Sequence, residues 1–464
     1  MSKIWKQGDE LTADNLNRTG GVGDIISPET DGSPTTAAQV NAIIATVAAE
    51  GGGTVLFKAG DYTFDDDIAL SDYVSIEGES YGSVSFDFDS NSKGVLIQGS
   101  GGYEVGTISI TKGATTVTGS STNWTTNASA GQKIWIRGFW YTISSITSDT
   151  ELELGSTYSG RTVSGVSYAV ATPAEGIRVQ NISITGSSGS ALKYEYTTNT
   201  ILEGVTIESS NIALETNYVT SHITENLDIL LCTKGIVADH AASQTISNYL
   251  IAGTTNESIR YENSTAVKLF AGYCSSAGTD GIYFKDCDGI AFTTIAENNG
   301  GNGIVLENCE EFTLHDANAM TNTSSGIKLI NSNKNSLNLC FLANNGTYGL
   351  EIDSDSEDNI VNGCYFEGNT TDEVDNDGTD TVISGCSPSS VNTIKEIDIQ
   401  FQSDLMLNQP VPSNIPEQEA LQTGILIADL CYLRYFDQVN LSLNTADYIS
   451  QRFTSLSIPH QKVQ

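Results

Sequence analysis

A pattern that returns every 22 to 24 residues predicts an all-β chain wound as a single-stranded right-handed parallel β-helix, about 23 residues per rung. Three observations carry this. First, six short segments align on one position: Gly235-Ile236, Ser258-Ile259, Gly281-Ile282, Gly303-Ile304, Gly326-Ile327 and Gly349-Leu350, at steps of 23, 23, 22, 23 and 23. Second, apolar and variable residues alternate after each, as in Ile282-Tyr283-Phe284, Ile304-Val305-Leu306 and Leu350-Glu351-Ile352. That is a strand with one buried face. Third, polar residues recur in columns. Asn299, Asn322 and Asn345 precede the glycine by four, and Asn369 continues them; Asn263, Asp286, Asn308 and Asn331 follow the Gly or Ser by five. Such columns suit bends whose side-chain amides bond to the rungs above and below.

The step is too short for ankyrin or tetratricopeptide units, and the Leu-x-x-Leu-x-Leu frame of leucine-rich repeats is missing. Upstream, Asn181-Ile182-Ser183-Ile184, Gly204-Val205-Thr206-Ile207 and Asn226-Leu227-Asp228-Ile229 keep the same period. Regular rungs therefore run from roughly 174 to 386, about nine of them, giving a rod of about 45 Å at about 4.8 Å per rung.

Before these rungs, Ala37 to Val47 has helical spacing of apolar residues and stops at Gly51-Gly52-Gly53. The segments Thr54-Val55-Leu56-Phe57 and Val74-Ser75-Ile76-Glu77-Gly78 then read as first strands. A helix there would cap the open end of the coil. After Cys386 the rung pattern stops, and prolines stand at 410, 412 and 416. Glu417 to Phe436 reads as a helix with Leu421, Ile425, Ala428, Tyr432 and Tyr435 on one stripe, and a second short helix is expected from about Thr445 to Leu456. This partly helical region is either a folded cap or a trimerisation element.

The chain carries 57 acidic and 21 basic residues, a formal charge of −36. That excess argues against binding nucleic acid or anionic membrane. No window approaches the roughly 18 apolar residues of a membrane span, and the start has no secretory signal, so assembly in a cytoplasm is expected. Eight cysteines without a Cys-x-x-Cys pair do not suggest a metal site; five of them, Cys287 to Cys386, follow the repeat and read as reduced core residues.

Helix, then Gly51-Gly52-Gly53-Thr54-Val55-Leu56-Phe57-Lys58-Ala59-Gly60-Asp61-Tyr62, then Val74-Ser75-Ile76-Glu77-Gly78 resembles the opening of pectate-lyase-like β-helix proteins, a superfamily that includes phage tail spikes. Trp5 to Asn17 resembles a segment common at the N-termini of phage tail fibres. Residues 105–172, through Thr116 to Ser120, Trp124, Gly131 to Ile136 and Thr150 to Leu154, resemble a small β-barrel module inserted in such proteins. The organisation expected is a virion-attachment segment (1–34), a capping helix and first rungs (35–104), the inserted barrel (105–172), the parallel β-helix (173–386) and the C-terminal cap or trimerisation region (387–464). The resemblance implies a homotrimer located in a virion tail and joined to other tail or baseplate proteins through its N-terminus.

Polysaccharide cleavage on a coil needs two carboxylates flanking a bond, or a basic residue near bound Ca²⁺. Glu203 and Glu225 occupy equivalent places on neighbouring rungs, with Asp228 and Glu208 on the strands that follow; Glu203, Glu225 and Asp228 are the catalytic candidates. With 57 acids, plain surface charge is the competing reading. Arg260 or Arg178 could serve as a lyase base, or as an ordinary solvated cation. His222, His240, His315 and His460 are scattered, with His315-Asp316 outward on its strand. Tyr283, Arg260, Tyr348 and Tyr365 are the glycan-binding candidates, because aromatic faces stack on sugar rings. Tyr273 shares the coil with them, while Trp124, Trp135, Trp140 and Tyr141 fall in the barrel. No cofactor is required. Ca²⁺ is the one ion that the clusters Asp353-Asp355-Asp358 and Asp372-Glu373-Asp375-Asp377-Asp380 could hold, and no metal ligand set is assigned.

Two functions follow. The leading expectation is a structural and receptor-binding tail spike or fibre that meets a host-surface polysaccharide without cutting it. Short rungs without long inserted loops favour that. The alternative is a depolymerase that hydrolyses or eliminates within a capsule or O-antigen polysaccharide.

Overall fold

The computed structural model describes residues 25–27, 29–30 and 33–391. Its main body is a right-handed parallel β-helix of about 23 residues per rung. The inward residue of one strand stacks on its equivalent in the next rung without a break: Val55, Ile76, Val179, Leu202, Thr224, Ile246, Leu269, Ala291, Leu314, Leu337, Val361 and Ile383. The column read from sequence is another of these: Ile236, Ile259, Ile282, Ile304, Ile327 and Leu350 pair in that order. All of these residues are buried except Val374, which extends that column at the far end and is partly covered. Because every rung adds the same apolar positions, each inward Ile or Leu is worth about 1.5–3 kcal/mol of burial.

The first rungs come before residue 174. Strands Gly53–Phe57, Gly60–Thr63 and Ile68–Leu70 pair with Val74–Gly78, Val84–Asp87 and Val95–Gln98. Those in turn pair with Arg178–Gln180, Ser183–Thr185 and the strand that begins at Ser190. The coil is thus interrupted after Gln98 and resumes at Ala174 on the same stack. The helix Ala37–Ala49 starts with a capping box between Thr36 and Gln39. Its buried Val40, Ile43, Ile44 and Val47 join the coil core. Gly52 and Gly53 follow at positive φ, and a Cβ at Gly52 would meet the Tyr73 backbone at 2.6 Å. The stop predicted there is therefore steric as well as conformational.

The interruption is a separate antiparallel sheet of eight strands with its own core around Trp124, Ile134, Leu152 and Tyr168. It was expected as a barrel. The strand order runs from Ser100–Tyr103 to Val163–Val166, and those end strands are not paired with each other, so the sheet curls round its core without closing.

The two polar columns differ in kind. Asn299, Asn322, Asn345 and Asn369 form an internal ladder, each Nδ2 donating to the next Oδ1 at 2.8–3.0 Å. Asn263, Asp286, Asn308 and Asn331 are corners with φ near +50°, where Asn and Asp are tolerated best among residues with a Cβ. The seven cysteines among the described residues are all buried. The predicted helices at 417–436 and 445–456 and the segment Trp5 to Asn17 lie outside the described residues.

Candidate functional site

The strand ending at Glu203 and the one that follows are joined by a one-residue corner in the left-handed region. On successive rungs that corner is Asn181, Gly204, Asn226 and Asn248, with φ of 56°, 62°, 55° and 52°. Only Gly204 lacks a side chain, so the ladder of asparagines has a notch. A Cβ there would meet Asn181 Oδ1 at 2.8 Å and the ring of Tyr81 at 3.4 Å. Tyr81 comes from the turn between Val74–Gly78 and Val84–Asp87 and leans over the notch. The result is a cleft of about 430 Å³ lined by Tyr81, Asn181, Glu203, Gly204, Asn226, Asp228 and Asn248.

Two of the three predicted acids face this cleft. Glu203 is half-buried and accepts a 2.5 Å hydrogen bond from Gln180 Nε2, one rung below. Asp228 Oδ2 accepts one of 3.0 Å from Tyr81 Oη. Glu225 pairs with Glu203 in register, but it is exposed, has no hydrogen-bond partner among the described residues, and does not line the cleft. Glu208 lies exposed at the far end of its strand. Beneath the cleft, His222 is fully buried between Thr200 Oγ1 (2.7 Å) and Thr224 Oγ1 (2.9 Å). Burial pushes its pKa down to about 3, which keeps the imidazole neutral.

The outward columns on either side of the corner continue along the coil and change character. Gln180, Glu203, Glu225 and Ser247 give way to Phe270, Phe292 and His315. Across the corner, Thr206 and Asp228 lead to Leu250, Tyr273, Ile295, Asn318, Phe341 and Tyr365. Phe270 and Phe292 stack at 5.7 Å, and Phe341 and Tyr365 at 5.3 Å with rings nearly parallel. An acidic cleft and an aromatic track therefore share one face.

Of the predicted glycan residues, Tyr365 lies on this track and is 42% exposed, and the coil tyrosine Tyr273 lies on it too, hydrogen-bonded to Glu297. Arg260 and Tyr283 are neighbours on a different face. The guanidinium sits 4.5 Å over the Tyr283 ring and is held by Glu257 at 3.0 Å and Glu262 at 2.6 Å. Burial and a hydrogen bond to Glu307 both raise the Tyr283 pKa. Arg260 thus has its charge satisfied within the protein. Tyr348 belongs to that other face, where the nearby Asp375 carboxylate raises its pKa. Arg178 is exposed on its strand. Neither acidic stretch that could hold Ca²⁺ brings three carboxylates together at ion-binding geometry among the described residues. Sequence reasoning missed Tyr81 and the Phe270, Phe292 and Phe341 positions. Extending the 22–23-residue step from Glu225 would have found Phe270 and Phe292, and from Asp228 it would have found Phe341. Tyr81 is separated from Asp228 by 147 residues and the inserted sheet, and no local signal marks it.

Comparison with a family model agrees on the fold. The family described as right handed beta helix region matches residues 272–399. No curated protein matches the chain. Among solved structures, the chain is similar to the A-module of the Azotobacter vinelandii mannuronan C-5 epimerase AlgE6, at 11% identity and a TM-score of 0.45, covering 81% of this chain and 98% of that one. It is also similar to the Gp54 tailspike of Acinetobacter baumannii bacteriophage AP22, determined with a capsular saccharide, at 10% identity and a TM-score of 0.36, covering 77% and 64%. Tailspike protein 3 of bacteriophage CBA120 gives 11% identity and a TM-score of 0.37, covering 76% and 59%. All three likenesses concern fold alone.

Proposed function

We propose that this chain binds a polysaccharide along the face that carries the cleft and the aromatic track, and that it hydrolyses a glycosidic bond between Glu203 and Asp228. The observation that carries the reading is the cleft itself: two carboxylates face one notch, each oriented by a donor from a different rung. Glycoside hydrolysis needs one carboxyl group to protonate the leaving oxygen and another to attack or to activate water. Gln180 and Tyr81 each occupy one carboxylate oxygen, leaving the other free to meet substrate. Among the described residues no Arg or Lys lines the cleft, which favours carboxylate chemistry over elimination by a basic side chain. Rungs about 4.8 Å apart roughly match the length of a pyranose unit, so a chain running along the coil would meet a ring position at each step.

The receptor-binding reading is favoured by one observation, the aromatic track, which needs no chemistry to hold sugar. The virion location and homotrimer implied by the N-terminal resemblance are compatible with either reading. Release of reducing ends from a panel of bacterial capsule and O-antigen polysaccharides separates the two. Cleavage by the natural protein, lost at least 100-fold in both Glu203→Gln and Asp228→Asn, supports hydrolysis. Binding without release of ends by the natural protein supports the receptor. Absence of both would defeat both readings.

A further inference from the structure

A second constellation lies where the inserted sheet meets the coil. Ser167, exposed between strands Val163–Val166 and Ala169–Thr172 of the insert, has its Oγ 2.7 Å from Nε2 of His240 on the coil. His240 Nδ1 is 2.9 Å from Asp239 Oδ1, an ion-pair distance, although the contact is too bent for a regular hydrogen bond. Asp239 Oδ1 also accepts from Asn263 Nδ2 at 2.9 Å. Burial tends to raise the Asp239 pKa, but the adjacent His240 imidazole and the hydrogen bond from Asn263 outweigh it and hold the carboxyl below the usual range.

The imidazole is held by its surroundings. It stacks on Tyr218 at 4.4 Å and 18°, and Trp135 of the insert meets it edge-on at 5.3 Å. The hairpin that carries Trp135 is pinned to the coil, since Thr220 Oγ1 donates to Gly138 O at 3.3 Å. In the tautomer that carries its proton on Nδ1, facing the carboxylate, Nε2 is left to accept from the serine. Ser167 and His240 open onto a cavity of about 460 Å³ that Arg137 and Arg161 also line. Neither arginine has a carboxylate within 4.0 Å among the described residues, although Asp286, Asp288, Glu310 and Glu311 line the same cavity and the charge of Arg161 helps to lower the Glu310 pKa.

We propose that Ser167, His240 and Asp239 form a serine hydrolase site for short-chain carboxylic esters, such as an acyl group on a sugar hydroxyl. The Ser167 Oγ forms a bond to the ester carbonyl carbon as its proton passes to His240 Nε2 and the carbonyl electron pair moves onto oxygen. Collapse breaks the bond to the alcohol oxygen, which takes the proton from Nε2. Water then repeats the sequence on the acyl-serine, releasing a carboxylic acid and restoring Ser167. Among the described residues that line the cavity, Arg137 and Arg161 are the cations that would meet the developing oxyanion. Ser167 and Asp239 lie on different elements, so the site exists only when insert and coil are docked.

The test uses the full chain with two probes, a fluorophosphonate and 4-nitrophenyl acetate. The site predicts covalent labelling that peptide mass mapping assigns to Ser167, and ester hydrolysis that falls about 10³-fold or more in Ser167→Ala and comparably in Asp239→Asn. Ser167 is exposed, so its alanine variant should keep the thermal midpoint. Absence of label at Ser167, or hydrolysis unchanged in Ser167→Ala, would overturn the site and leave the Ser167–His240 bond as a clamp between insert and coil. Neither probe reads the Glu203 and Asp228 cleft, so this result stands apart from glycoside cleavage.

Discussion

The rungs that carry Glu203 and Asp228 and the rungs that carry Phe292 and Tyr365 have the same backbone. Both have a left-handed corner between two strands, with outward columns on either side. They differ in what fills those positions. The first region has acids outside, Gly204 at its corner, and a neutral histidine among threonines inside. The second has aromatic rings outside and an asparagine ladder inside. A repeating coil therefore fixes where side chains stand to within a rung, while function depends on single departures from the repeat. Gly204 is the clearest, since a missing side chain in an asparagine column makes the cleft.

The largest expected effect separates the regions chemically. Asp228→Asn should lower polysaccharide cleavage by about 10²–10⁴-fold with little change in melting temperature, whereas Phe292→Ala should leave the chemical step intact. Steady-state kinetics on both variants would decide. Acidification should loosen the first region before the second. The folded pKa of His222, about 3, lies below its unfolded value near 6.5. The unfolded chain therefore binds the extra proton first. Stability from this group is full above pH 6.5 and is lost as pH falls towards 3, by up to roughly 4–5 kcal/mol. Hydrogen exchange at pH 7 and pH 4 should show the strands around His222 losing more protection than those around Asn322.

The interior of the second region can be tested on its own. Asn322→Ala removes the acceptor for both Asn299 N and Asn299 Nδ2. It should cost about 2–4 kcal/mol in denaturant unfolding. Gly204→Asn would complete the corner column with a residue its neighbours already tolerate. It should fold, displace Tyr81, and raise KM by about tenfold, since the cleft is filled while the acids remain. The smallest effect expected is at Tyr365→Ala, which removes one exposed ring from the track and should weaken polysaccharide binding by about 1 kcal/mol in calorimetry.

Much of this was legible in the sequence, for a physical reason. A parallel coil repeats one environment per rung, so apolar alternation and the columns of asparagine appear directly as a period. Glu203, Glu225 and Asp228 were found from that register, and the register correctly set Glu203 beside Glu225. The period could not reveal which acids share a cleft. That depends on Tyr81, brought in from an early rung across the inserted sheet, and on the absence of a Cβ at Gly204. Arg260 and Tyr283 were expected to bind glycan because both point outward. They are neighbours, however, and the acids of the same surface hold the arginine. Ser167 and His240 lie 73 residues apart, one on the insert and one on the coil, and neither carries a repeat signal.

The most direct measurement is a crystal structure of the Asp228→Asn protein soaked with an oligosaccharide from a polysaccharide it binds. Sugar density crossing the corner at Gly204, in contact with Glu203 and continuing over Phe270 and Phe292, is the predicted result. Sugar bound on another face, around Arg260 and Tyr283 for example, with the Gly204 cleft filled only by water, would contradict it.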